Sequence, residues 1–258
     1  MRWKKVILVV FGIIAVVLAC WWVYMYNREQ IAISAAKEYL DERFYQEMRF
    51  LSSGRNFINV HLYHVRFSPV DNPELIFEVI VGGNDLMVRP ARPAPDGSLF
   101  VPDSYYLEYF ALKMRDHFKN DILKVWDNEA VLSVSARQTP VVSFKAPVDF
   151  DSLQPIEDTL EEMLSVVDLY IFFIEVDTRL SDLSDEDIKL REANRIFDFI
   201  QIVRESGFEP TGIVIRFAPR SANNARRSIS FGSPFQEGWL QEITTVEQVL
   251  EELETLIR

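Results

Sequence analysis

From Val6 to Tyr26 the chain reads VILVVFGIIAVVLACWWVYMY, 21 consecutive residues without a charge. As a helix rising ~1.5 Å per residue, this stretch is about 30 Å long, the thickness of a bilayer core. A helix buried inside a soluble protein rarely lacks polar residues on every face over such a length. The segment therefore predicts a transmembrane helix. Arg2, Lys4 and Lys5 precede it, whereas only Arg28, next to Glu29, follows closely. The excess of positive charge before the span predicts a cytoplasmic N-terminus and an extracytoplasmic remainder. Trp21, Trp22, Tyr24 and Tyr26 suit the far interface, where a ring with a polar edge is stable.

Two processed forms compete with an uncleaved anchor. A secreted protein would need a shorter apolar core and a small-x-small cleavage site, and neither is present. Val17-Leu18-Ala19-Cys20 loosely matches a lipoprotein box, but Leu18 is large for its position and six membrane-compatible residues follow Cys20. Cys20 is the one cysteine, so the region beyond the span has no disulfide and no thiol nucleophile. All 39 acidic residues, but only part of the 27 basic ones, lie beyond Tyr26. That body is more acidic than the whole chain's net charge of −12, which excludes nucleic acid as a partner.

The remainder predicts an α+β fold of two small sandwich-like parts with mainly antiparallel sheets. The expected division is a basic tail over 1–5, an anchor over 6–26, a first domain over 27–136 and a second over 137–258. In the first, Ile31–Met48 has apolar residues every three or four positions and reads as an amphipathic helix growing from the anchor. Strands follow at 59–67, 74–81 and 86–89, with Gly82-Gly83 in a hairpin turn. Asp103 is the expected N-cap of a helix to Trp126, and 130–135 is a fourth strand. In the second domain, strands are expected at 141–144, 169–176, 212–218 and 227–231. Helices are expected at 154–166, 184–206 and 246–257, the first with Pro155 in its opening turn and the second stopping at Gly207. Leu169–Val176, apolar almost throughout, reads as a central strand.

Motifs for chemistry are sparse. His61 and His64 alternate to opposite faces of a strand, and His117 lies in helix register with Lys113 and Asp121, so none forms a metal set. No phosphate loop, dinucleotide fingerprint or nucleophile elbow occurs, and no cofactor is expected. Glu161-Glu162, Asp185-Glu186-Asp187 and Glu251-Glu252 fall on helix surfaces or starts, where solvation and capping account for them. Glu175 and Asp177 share a face at the exit of the central strand, a place where many α/β enzymes carry catalytic acids. They are the candidates for catalysis, without a partner of complementary role. Arg216, Arg220, Arg226 and Arg227 surround one predicted hairpin and form a basic patch on an acidic body. Pairing with acids such as Glu209 or Glu237 explains them; a docking surface for an anionic envelope polymer or an acidic protein face is the sharper alternative. Arg89 and Arg92 form a smaller site of that kind.

Residues 1–135 resemble membrane-anchored proteins of unknown function from Bacillus-like Gram-positive bacteria. The resemblance rests on Tyr39, Leu40, the Asp71-Asn-Pro-Glu74 turn, Phe77, Asp103, Tyr105 and Tyr106. It implies a Gram-positive cell-surface location and supplies no catalytic residue. Three functions remain: a non-catalytic binding or regulatory module at the envelope, a cell-surface hydrolase using Glu175 or Asp177, and an accessory subunit of a membrane complex. The third draws on Ala15 and Ala19, a single small-xxx-small pair. A pocket holding the two acids with another titratable group would favour the enzyme; a solvated strand end would count against it.

Overall fold

The computed structural model describes residues 2–44, 46–55, 62–88, 92–93, 99–100, 103–127, 130–135, 159–166, 171–178, 180–210, 212–217, 227–231 and 239–257. The chain divides into two compact units. One unbroken helix, α1 (Arg2–Arg43), opens the first. Its second half supplies that unit's core: Ala32, Ala36, Leu40 and then Phe44 are buried at intervals of four. The alanines let the helix axis approach the sheet closely. The helix ends where Phe44 still donates its N–H to the Leu40 carbonyl.

Four antiparallel strands receive this face in the order β1 (Met48–Arg55), β2 (Leu62–Pro69), β3 (Phe77–Gly82) and β4 (Met87–Val88). Tyr63, Val65 and Phe67 on β2 and Phe77, Val79 and Val81 on β3 point inward; His64, Arg66, Glu78 and Ile80 point away. Burying each such apolar side chain contributes roughly 1.5–3 kcal/mol. Strand β1 was not foreseen, since Met48 continues the apolar spacing of the helix; in the structure it already pairs with Pro69. A bulge between Phe50 and Ser52 shifts β1's register. Strand β2 runs two residues past the expected end at 67, through Ser68 and Pro69. Gly83 adopts φ 87°, as the turn before β4 requires. Two-residue strands β5 (Arg92–Pro93) and β6 (Leu99–Phe100) pair with each other.

Helix α2 (Tyr105–Trp126) starts as expected, with Asp103 Oδ1 accepting the Tyr105 N–H at 3.0 Å. Tyr105, its first residue, stacks on Phe44 at 4.5 Å. From Tyr106 onward α2 belongs to the second unit. There the sheet order is β10 (Arg227–Phe231), β9 (Gly212–Phe217), β8 (Ile171–Val176) and β7 (Ala130–Ser135). Strand 130–135, read in sequence as the last of the first layer, is thus an edge of the second sheet, paired antiparallel with β8. Local pattern marks a strand but not its partner. Pair β8–β9 is parallel and β9–β10 antiparallel, so β8 is the central strand its composition predicts.

On the covered face of this sheet, Phe118 of α2 meets Phe172 at 5.3 Å and Phe199 at 6.0 Å. Phe199 lies on α4 (Glu186–Glu205), whose N-cap is Asp185 and whose end is marked by Gly207 at φ 77°. Helix α3 (Leu160–Val166) begins at a reciprocal capping box between Thr159 and Glu162. Pro155 and the expected strand 141–144 lie outside the described residues. After the four-residue α5 (Trp239–Glu242), α6 (Val246–Ile257) buries Val249 and Leu253. Arg204 of α4 donates to the carbonyls of Leu240 and Ile243, the latter at 2.7 Å, tying the α5 region down.

Candidate functional site

The first half of α1 is apolar and bare. Its apolar window has a mean hydropathy of 1.8 and 0% of it is buried within the chain. Side chains on every face stand open: Phe11 is 69% exposed and Trp22 65%. A water-exposed surface of that composition is costly, so this is the one candidate membrane-spanning helix among the described residues, and the protein is membrane-associated.

Where this half gives way to the domain, a cavity of about 310 Å³ opens between α1 and the sheet edge. Trp22, Met25, Tyr26 and Glu29 line it from α1; Ser53, Gly54, Arg55 and Tyr63 line it from β1 and β2. Helical spacing stacks Trp22 on Tyr26, with ring centres 5.8 Å apart. Ser53 Oγ donates to the Glu29 carboxylate, joining the edge strand to the helix. Arg55 Nη1 donates to Met25 Sδ at 3.1 Å. One end of the cavity is thus aromatic and thioether, the other carboxylate, hydroxyl and guanidinium. Sequence reading missed it, because its two walls are 24 or more residues apart and β1 carries no motif.

Two buried polar networks were also invisible in the sequence. Asp103, only 3% exposed, accepts from Tyr39 Oη at 2.5 Å and pairs with Arg43 Nη1 at 3.3 Å. Arg43 also donates to Tyr39 Oη at 2.6 Å. Burial, with the Asp103 charge beside it, pushes the Tyr39 phenol well above its ordinary range. This triad joins the helix to the segment before α2, and Tyr39 and Asp103 are both positions of the resemblance noted in the sequence. In the second unit Glu192 is fully buried; it accepts from Trp126 Nε1 at 3.2 Å and Arg195 Nη1 at 3.0 Å, and pairs with Arg191. Both networks tie distant parts of the chain together and read as fold-holding groups.

The residues singled out by sequence fare differently. Glu175 is the penultimate residue of β8 and Asp177 follows its end, exposed. In the parallel register Glu175 stands beside Arg216, whose guanidinium lies 4.6 Å from the centre of the Phe173 ring. Hairpin β9–β10 forms as expected, yet Arg216 pairs with Ser228 and Arg227 with Phe217, so the two arginines are out of phase along the ladder. Arg220 and Arg226 lie outside the described residues, as do His61 and Arg89. His64 Nδ1 lies 3.1 Å from Glu78 Oε2, and Arg66 Nε donates to Glu78 Oε1 at 2.7 Å. Exposed His117 packs edge-on to Phe118 and Phe208 at 4.9 and 5.0 Å. Among the described residues no group of three or more His, Cys, Asp or Glu is placed to hold a metal ion.

No family model and no curated protein matches this chain. The specific Bacillus-like family that residues 1–135 resemble is therefore not borne out as a family assignment. Among solved structures there is a distant similarity to a DUF5037 family protein from Ruminococcus gnavus ATCC 29149. The two are 9% identical with a TM-score of 0.41, over 84% of this chain and 96% of that one.

Proposed function

We propose that this chain is a single-pass membrane protein and acts as a non-catalytic binding or regulatory module at the envelope of a Gram-positive cell. Its N-terminus is cytoplasmic, Val6–Tyr26 spans the bilayer, and both α+β units lie outside. The observation that carries the reading is the continuity of α1: the bare apolar half and the half that forms a domain core are one helix. No flexible joint separates anchor from domain. The first unit is then held at a set height and rotation above the lipid, which lowers the orientational cost of meeting a partner in or on the membrane. An enzyme acting on soluble substrate gains nothing from such rigidity. Arg2, Lys4 and Lys5 before the span support the orientation.

For the partner, the basic hairpin around Arg216, Arg220, Arg226 and Arg227 is the surface to test, as a dock for an anionic polymer or acidic protein face. Crosslinking in cells followed by capture of the full-length protein would compare the native chain with the variant carrying Ala at these four positions. Loss of a partner supports the dock, and an unchanged partner set removes it. Recovery of the intact chain from washed cells in the aqueous fraction, without detergent, would sink the anchored reading altogether.

A second reading has one specific observation in its favour. Glu175 and Arg216 are neighbours at the carboxyl ends of two parallel strands, where open α/β sheets collect their ligands. A surface hydrolase would use Glu175 or Asp177 there. Activity screening against envelope polymers that finds turnover lost in Glu175→Gln or Asp177→Asn would favour it over the binding module.

A further inference from the structure

The cavity between α1 and β1 has a position and a chemistry that together specify an occupant. It starts at Trp22 and Tyr26, the last turns of the span, so on that side its surroundings are lipid. Amphiphiles are the molecules at high concentration at that depth. Its wall changes character over two helical turns, from Trp22, Met25 and Tyr26 to Glu29, and across from them to Ser53 and Arg55. A ligand apolar at one end and bearing, at the other, an anion and a hydrogen-bond donor matches this lining. About 310 Å³ accommodates a small polar head and its linker, with the tails left in the bilayer. One guanidinium N–H of Arg55 is spent on the thioether of Met25 at 3.1 Å, an acceptor far weaker than a phosphate oxygen. Met25 is flexible enough to yield that contact without disturbing the fold.

We propose that this cavity is a binding site for a membrane glycerophospholipid, with its phosphate at Arg55, its head-group hydroxyl or amine at Glu29, and its glycerol and first acyl carbons along Trp22, Met25 and Tyr26. The inference rests on the anchored reading above and adds to it a specific lipid held where the domain meets the bilayer. Such a lipid would fasten edge strand β1 to the membrane surface.

The test uses the full-length chain in nanodiscs of phosphatidylcholine containing a phosphatidylglycerol that bears a photoactivatable carbene precursor near its glycerol. Adducts are mapped by digestion and mass spectrometry. Adducts concentrated on Trp22–Glu29 and Ser53–Arg55 are expected. Arg55→Gln should lower them about tenfold relative to adducts on Val6–Val10, at the opposite interface, of the same molecules, the size of one lost charge-assisted hydrogen bond. Ser53→Leu, which fills the polar end, should do the same while near-ultraviolet circular dichroism stays native. Unlabelled phosphatidylglycerol should compete, and an alkyl glucoside or soluble glycerol 3-phosphate should not. Adducts spread evenly around Val6–Tyr26 with none on Ser53–Arg55, or unchanged in both variants, would overturn the site and leave the anchor standing. Equal competition by the phosphate-free glucoside would overturn recognition of phosphate. Adducts absent even from Val6–Val10 would count against the anchor itself.

Discussion

Asp103 is the residue on which most of the first unit's polar architecture converges. It caps α2, accepts a hydrogen bond from Tyr39 and forms an ion pair with Arg43, all away from solvent. Asp103→Asn keeps the shape but leaves Arg43 without its buried counter-charge, so it should destabilise the protein by about 3 kcal/mol. Tyr39→Phe removes one neutral donor and should cost about 1–2 kcal/mol. Urea unfolding of the detergent-solubilised chain checks both, and equal losses would contradict the charge argument. Glu78 makes a prediction about pH. Burial opposes its ionisation, but hydrogen bonds from Arg66 and His64 outweigh that and hold the carboxyl below its usual range. A lowered folded pKa favours the ionised form in the fold. Its contribution is therefore complete above the unfolded glutamate range and is lost as pH falls through the lowered value. Glu78→Gln should flatten the acid limb of Tm against pH between about pH 5 and 3, leaving the neutral limb parallel to the native one.

Among the elements, α1 makes the sharpest prediction, because one helix serves two solvents. Inserting a single Ala between Asn27 and Arg28 turns the span by about 100° relative to the domain and raises it by ~1.5 Å. Ala32, Ala36, Leu40 and Phe44 keep their places against the sheet, so Tm should stay within a few degrees of native. Trp22, Met25 and Tyr26 rotate away from Ser53 and Arg55, so lipid adducts on β1 should vanish while membrane retention persists. A large fall in Tm would mean that the span and the domain core are energetically one body. Element by element, the sequence was most legible where a cap or a period announced itself. Asp103 and Gly207 mark helix ends through backbone chemistry that needs no distant partner. Strand β1 was not legible, because Met48, Phe50 and Leu51 fit the spacing of the preceding helix as well as that of a strand. Strand β7 was legible as a strand but not as a member of the second sheet, since its partner β8 lies beyond residue 170.

For the whole molecule, the prediction concerns the one cysteine. With Val6–Tyr26 in lipid, Cys20 should resist a charged thiol reagent in intact membranes and react with a membrane-permeant one, then react with both in detergent. A cysteine placed at exposed Glu251, in a Cys20→Ala background, should label from outside in intact cells. Labelling of Glu251→Cys only after permeabilisation would reverse the orientation.

What the amino-acid order decided alone was the candidate membrane segment, the α+β class and the helix ends marked by Asp103 and Gly207, because each depends on transfer energies or backbone preferences that act within a few residues. The catalytic and basic candidates were also drawn from local runs, and the structure keeps only part of each together: Glu175 gains Arg216 as a neighbour, while Arg216 and Arg227 fall out of phase. Tertiary structure decided the rest. It buried Asp103 with Tyr39, buried Glu192 with Trp126, and set Ser53 and Arg55 opposite the end of the span to enclose a cavity. Those groups are separated along the chain by 24 to 66 residues, and nothing in local propensity encodes contact over such distances. Only the packing of an apolar helix face onto a particular sheet brings them within reach.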